Sequence, residues 1–136
     1  DKIIVDSKLS ERTGFSNSRQ VWRVVRQRVV DSCASVIDID YLDASLVPQL
    51  NRSIAEYSIY DYIENQLNLS ISHAFKEITI DNATDQDKIL IDLGKDQHVV
   101  CVRSKVYLNN GKQFQFTESR HKLEKFKFVD YAKRHH

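Results

Sequence analysis

Two alternating stretches set close together constrain the fold more than any other feature. "VWRVVRQRVV", Val21–Val30, is rich in Val and lacks Gly and Pro, as strands do. "SVIDIDYL", Ser35–Leu42, alternates apolar and acidic residues. Only the short turn "DSCA", Asp31–Ala34, separates them, so the pair reads as a hairpin. Alternate side chains of a strand share a face, which puts Trp22, Val24, Arg26, Arg28 and Val30 on one side. Asp38 and Asp40 likewise share a face of the partner strand. A three-residue loop at Ser32–Ala34 would set Arg28 opposite Asp38 and Arg26 opposite Asp40. A two-residue loop would bring Ile37 and Ile39 there instead, because a one-residue slip swaps faces. The first register is the expected one, with Val25 and Gln27 facing Ile39 and Ile37 on the other side. Two cross-strand ion pairs would follow, worth a few tenths to about 1 kcal/mol each if exposed. The alternative is a polar pocket in which the guanidinium forks meet a phosphate or carboxylate and a nearby acid meets hydroxyl groups.

The remaining segments extend the same architecture. "KIIVDSKL" (Lys2–Leu9) is a predicted strand, and the polar Ser10–Gln20 a loop. Ala44–Leu50 is a short helical turn or loop broken at Pro48. Ser58–Leu69 is a predicted helix, with Ser58 as N-cap, Asp61 completing a weak capping box, and Ile59, Tyr62, Ile63 and Leu67 as its buried stripe. Ser70–Ile80 reads as a long strand. Thr84–Gly94 reads as a compact helix, Thr84 its N-cap and Gly94 its C-terminal end. His98–Leu108 and Lys112–His121 are strands around the hairpin turn "NNG", Asn109–Gly111. Glu124–Arg134 is expected to be extended at first and irregular after. Five or six strands joined mostly by hairpins, with two or three helices, predict an α+β fold with a mainly antiparallel sheet.

At 136 residues the chain has the size of one domain. No apolar run approaches the ~20 residues of a membrane span. Two cysteines, Cys33 and Cys101, are too few for a disulfide scaffold and form no CxxC pair, which suits a reducing cytoplasm. A net charge of +1 argues against a nucleic-acid-binding domain. The charge is uneven, however: residues 1–35 hold seven Lys/Arg against four acids, and residues 112–136 seven against three. These ends would form a positive pocket if they met in space.

Signatures of catalysis are scarce. There is no nucleophile elbow, no Gly-rich phosphate loop and no HExxH. Of the five histidines, only the terminal pair His135 and His136 lie close together. Cys33, in a turn, reads as a structural thiol. Binding features are more promising. A helix opening at Ser58 would offer free N–H groups, a ready anion site if the fold carries it to the arginines. Gln115 and His121 share a face of the last hairpin strand with Gln113, Thr117 and Ser119. That face is either solvated or a row of donors and acceptors for a sugar. Phe114, Phe116, Glu118 and Arg120 occupy the other face.

In order along the chain, "RVVRQRVVDS…IDIDYLD", "SIYDYIENQLNLSIS" and "FQFTESRHKLEKFKFVDYAKR" resemble the effector-binding (UTRA) domain of GntR-family repressors of the HutC subfamily. The latter two look closest to the members that respond to trehalose 6-phosphate. The resemblance implies a chorismate-lyase-like fold, an antiparallel sheet flanked by helices, and a cytoplasmic homodimer that binds a phosphosugar and has no cofactor. It implies that Arg26, Arg28, Ser58 and Tyr60 hold the phosphate, and that Asp38, Gln115 and His121 hold the sugar. Gln115 stands where many members have Glu, and His121 where many have Tyr. Operator DNA would be reached only through a winged-helix domain upstream, making this chain a C-terminal fragment. The rival expectations are a lyase-like enzyme and a dimerisation module with a vestigial pocket.

Overall fold

A computed structural model describes residues 1–51, 59–67 and 70–133, and for residues 60, 63 and 66 the backbone alone. In these residues six strands form one antiparallel sheet: β1 (Lys2–Ile4), β2 (Gln20–Val30), β3 (Cys33–Asp43), β4 (Ile71–Asn82), β5 (His98–Leu108) and β6 (Gln113–Lys122). Their order is β1-β2-β3-β6-β5-β4, so two three-strand meanders meet where β3 pairs with β6. Among the described residues the helices are short: α1 (Ser7–Thr13), α2 (Ile59–Asp61), which continues as a π-helical turn over Tyr62–Gln66, and α3 (Asp85–Leu90). No described helix is long and apolar enough to cross a membrane.

The β2–β3 hairpin resolves the register question by combining both alternatives. Its turn has two residues, Asp31 and Ser32, both at positive φ (51° and 63°), the twist a tight hairpin needs. The ladder then slips between Arg28 and Val29: Val29 pairs with Ala34, but Arg28 pairs with Val36. The extra residue, Ser35, is a β-bulge that restores the parity of a three-residue loop. Val25 therefore faces Ile39 and Gln27 faces Ile37, as expected, while Arg26 lies opposite Asp38 rather than Asp40.

That parity sends Ile37, Ile39 and Tyr41 into a core with Val21, Val99, Cys101 and Phe116. The lid over this core includes α1, which was expected to be the end of a strand and a loop. Asp6 caps it by accepting from the Leu9 N–H at 2.8 Å, and Gly14 closes it at φ 87°. Helix α3 also stops early. After Leu90 the chain turns extended so that Ile91 and Leu93 both enter the core, and Gly94 serves a separate turn. A second core joins Leu42, Val47, Ile59, Val106, Leu108 and Phe114, with Trp22, Tyr62 and Leu67 packed against it. Ile59, Tyr62 and Leu67 thus form the buried stripe expected of that helix; Ser58 lies outside the described residues, as does the side chain of Ile63. The last segment opens with a 3₁₀ turn, Leu123–Lys125, instead of an extended stretch.

The face that carries Phe116 also buries charge. Glu118 is fully buried and is bridged by Arg12 and, at 2.8 Å, by Arg103. Arg120 forms a fork to Asp87 with both bonds at 2.8 Å. Asp87 also closes the capping box of α3 with Thr84. The basic ends of the chain meet here at Glu118, which Arg12 and Arg120 both approach, while Arg120 lies on the face opposite Arg26 and Arg28.

Burial pushes the Asp87 carboxyl up, but the hydrogen bonds from Arg120 and Thr84 outweigh it and hold its pKa below 3.8. Its stabilisation is complete above that ordinary value and is lost as pH falls through the lower folded value. Asp87→Ala should cost about 3–5 kcal/mol at neutral pH, since it strands a buried guanidinium. Urea unfolding should show this deficit shrinking under acid conditions.

Candidate functional site

The other face of the sheet carries the second set of charges. Strand β2 presents Arg26 and Arg28, β3 presents Asp38 and Asp40, and β6 presents Gln115, Thr117, Ser119 and His121. The β3–β6 register aligns them in a row: Val36 with His121, Asp38 with Ser119, Asp40 with Thr117, Leu42 with Gln115. Beside this row lies a cleft of about 740 Å³, walled by Trp22, Arg26, Arg28, Asp38 and, from the segment after β3, Leu50 and Asn51.

Both arginines reach diagonally across the hairpin to the acids named from the sequence. Arg26 Nη2 donates to Asp40 Oδ2 at 2.9 Å. Arg28 grips Asp38 with Nε at 2.6 Å and Nη2 at 3.1 Å. These are not plain surface pairs. The Arg26 and Arg28 side chains are 38% and 52% exposed, but those of Asp40 and Asp38 only 5% and 13%. Each pair thus joins a partly exposed arginine to a carboxylate set into the sheet. A guanidinium has five N–H donors, so holding one carboxylate leaves Arg28 donors for an incoming anion.

Gln115 is the most informative residue. It is 1% exposed, and its Nε2 donates to Asp40 Oδ1 at 3.3 Å. Its Oε1 is buried with no hydrogen-bond partner among the described residues. A buried acceptor without a donor costs about 1–3 kcal/mol, which a ligand hydroxyl would recover. Asp38 also accepts from Ser119 Oγ at 2.8 Å. His121 is half-buried with its ring edge-on to Phe126, the centroids 5.3 Å apart. Burial, with the nearby Arg28 charge, lowers its pKa, against the opposing pull of Asp38.

Of the seven residues named from the sequence, the fold assembles Arg26, Arg28, Asp38, Gln115 and His121 on one face. Ser58 lies outside the described residues, and Tyr60 is described by its backbone alone. Sequence reasoning grouped Asp40 with Asp38 on a strand face but assigned it no contact to an effector. The signal was its Arg26 partnership, which is visible in the i, i+2 spacing on both strands. Cys33, read as a structural thiol, is half-buried at the start of β3. Cys101 is buried, and burial pushes its thiol pKa up to about 12.

The fold is shared with solved effector-binding domains. The UTRA domain profile matches residues 1–127, and the chain belongs to that family. It is 48% identical over 114 residues to the HTH-type transcriptional regulator TreR of Bacillus subtilis, covering 84% of this chain and 48% of TreR. It is 26% identical to the HTH-type transcriptional repressor NagR of the same organism, covering 98% of this chain and 56% of NagR. The chain therefore spans about half the length of these relatives. Among solved structures, the effector-binding domain of the B. subtilis trehalose repressor superposes with a TM-score of 0.91 at 40% identity, covering all of this chain and 94% of the other.

Burial raises the Asp40 pKa above 3.8, and the Arg26 charge and hydrogen bond only partly offset it. The folded state then binds a proton more tightly than the unfolded one, so Asp40 costs stability as pH rises from 3.8 through its folded value. Asp40→Asn should leave stability at about pH 7 unchanged within ~1 kcal/mol or raise it. Denaturant midpoints should show the variant gaining on the wild type between about pH 4 and about pH 7.

Proposed function

We propose that the chain is the effector-sensing domain of a transcriptional repressor, and that its effector is a phosphosugar, trehalose 6-phosphate. The observation that carries this is the buried Gln115 Oε1, without a hydrogen-bond partner among the described residues, on the same sheet face as Arg26 and Arg28. A phosphosugar matches both ends of that face. Its dianion takes charge-assisted, forked donors from the arginines. Its hydroxyls can donate to Gln115 and Asp38. By the family resemblance, Ser58 and Tyr60 would complete the phosphate site. His121 would take a sugar hydroxyl. The choice of sugar rests on the 48% identity to a regulator named TreR and on the likeness to a domain titled as the trehalose repressor's.

The reaction is binding alone, with no catalysis and no cofactor. An enzyme on the lyase architecture would want a closed apolar pocket for an aromatic acid, whereas this cleft is open and sets charged residues among apolar ones. The repressor would work in the cytoplasm as a homodimer. Edge strand β4, with Ile78 46% and Ile80 70% exposed on one face, offers apolar surface for a second copy. Effector binding would favour a dimer geometry unsuited to operator contact by a DNA-binding domain elsewhere in the longer protein. That requires different affinities for two states.

The Arg26–Asp40 and Arg28–Asp38 pairs support a second reading, in which the pocket is vestigial and the pairs only brace the hairpin. Thermal unfolding separates the two. Trehalose 6-phosphate should raise stability by roughly 2.7 kcal/mol at a hundred times its Kd, with trehalose and inorganic phosphate far behind. Arg26→Ala combined with Arg28→Ala should weaken that binding by at least about a hundredfold while leaving the fold intact. An unchanged affinity in the double variant would remove the phosphate-site assignment. No response to any phosphosugar would favour the vestigial pocket.

A further inference from the structure

The cleft runs along β2 from the arginines to an aromatic end at Trp22, which lies level with Gln115, two strands away. Trp22 lies on the same face of β2 as Arg26 and Arg28, four and six residues back along the strand. At about 3.3 Å per residue, that places it roughly 13 to 20 Å from the guanidinium-bearing positions. A single pyranose ring with its phosphate falls short of that span, and two linked rings come close to it. Leu50 and Asn51 also wall the cleft.

The indole is held in place like a platform. Its Nε1–H donates to Val47 O at 2.7 Å, and the ring packs against the second core. The Lys2 ammonium lies over the ring, 5.0 Å from its centroid. Lys2 is exposed, and such a contact is weak enough for an apolar surface of suitable shape to displace it. The C–H face of a pyranose is such a surface, and its hydroxyls can accept from the displaced ammonium.

We infer that Trp22 is a specificity-determining residue: it stacks on the unphosphorylated ring of a phosphorylated disaccharide whose phosphate lies at Arg26 and Arg28. This rests on the phosphosugar reading above and adds a subsite to it. The arginines recognise any hexose phosphate, whereas the distance to Trp22 selects for two rings.

Trp22 is the only tryptophan in the chain, so intrinsic fluorescence reports on this subsite without mutation. Calorimetry and fluorescence titrations with trehalose 6-phosphate, glucose 6-phosphate and inorganic phosphate form the test. Trehalose 6-phosphate should shift or quench the emission, and the other two should leave it unchanged. Trp22→Leu should lower affinity for trehalose 6-phosphate roughly tenfold and leave glucose 6-phosphate binding as it was. If Trp22→Leu fails to fold, Trp22→Phe keeps an aromatic face, and the fluorescence result on the wild type still decides. Calorimetric binding of trehalose 6-phosphate without any change in emission would overturn the subsite and leave the phosphosugar reading standing. An equal loss for both sugar phosphates would assign Trp22 a structural role and also overturn it. Absence of binding by every phosphosugar in calorimetry would instead remove the reading on which the subsite rests.

Discussion

The parity of strand β3 is the constraint on which the rest depends. Both of its faces are covered, so a residue turned from one side must go to the other. Ile37, Ile39 and Tyr41 belong in the core under α1, and this forces Asp38 and Asp40 to the opposite face. A carboxylate set into a sheet needs partners, and Arg26, Arg28, Ser119 and Gln115 supply them. The bulge at Ser35 makes the arrangement compatible with a two-residue turn. Without that extra residue the arginines would face the isoleucines, and neither the core nor the site would form.

The two faces handle charge in opposite ways. Under Phe116, the Glu118, Arg103, Arg120 and Asp87 groups close on one another and are largely shielded from water. Such a network can brace the sheet but has little capacity left for a ligand. On the other face the arginine side chains are partly exposed, the carboxylates are sunk, and the buried Gln115 Oε1 has no hydrogen-bond partner among the described residues. Incomplete pairing is a cost to the free domain. A sugar phosphate with hydroxyls in the right places would offset it.

Much of this was legible in the sequence because strands with one buried face advertise it. The alternation in Ser35–Leu42, the NNG turn and the capping residue Thr84 led directly to the hairpins and to α3. Helix α1 was hidden because "KIIVDSKL" begins with an apolar run that is strand-like for three residues and then breaks at Asp6. The available signal was Asp6 as a cap followed by Gly14 one turn past Ser10, a spacing that marks both helix ends. The end of α3 was misplaced because Gly94 looks like a C-cap. Burial of Ile91 and Leu93 overrode that local preference. The phosphate and sugar roles of individual residues came from the resemblance, since an i, i+2 pair of arginines by itself suits a solvated ion-pair ladder equally well.

The central claim, that β2 carries an effector phosphate site, is tested most directly by a crystal structure of the chain grown with trehalose 6-phosphate. The account predicts phosphate oxygens within about 3 Å of guanidinium nitrogens of both Arg26 and Arg28, with a sugar hydroxyl donating to Gln115 Oε1. A phosphate seated elsewhere, with Arg26 still held by Asp40 and Arg28 by Asp38, would contradict it.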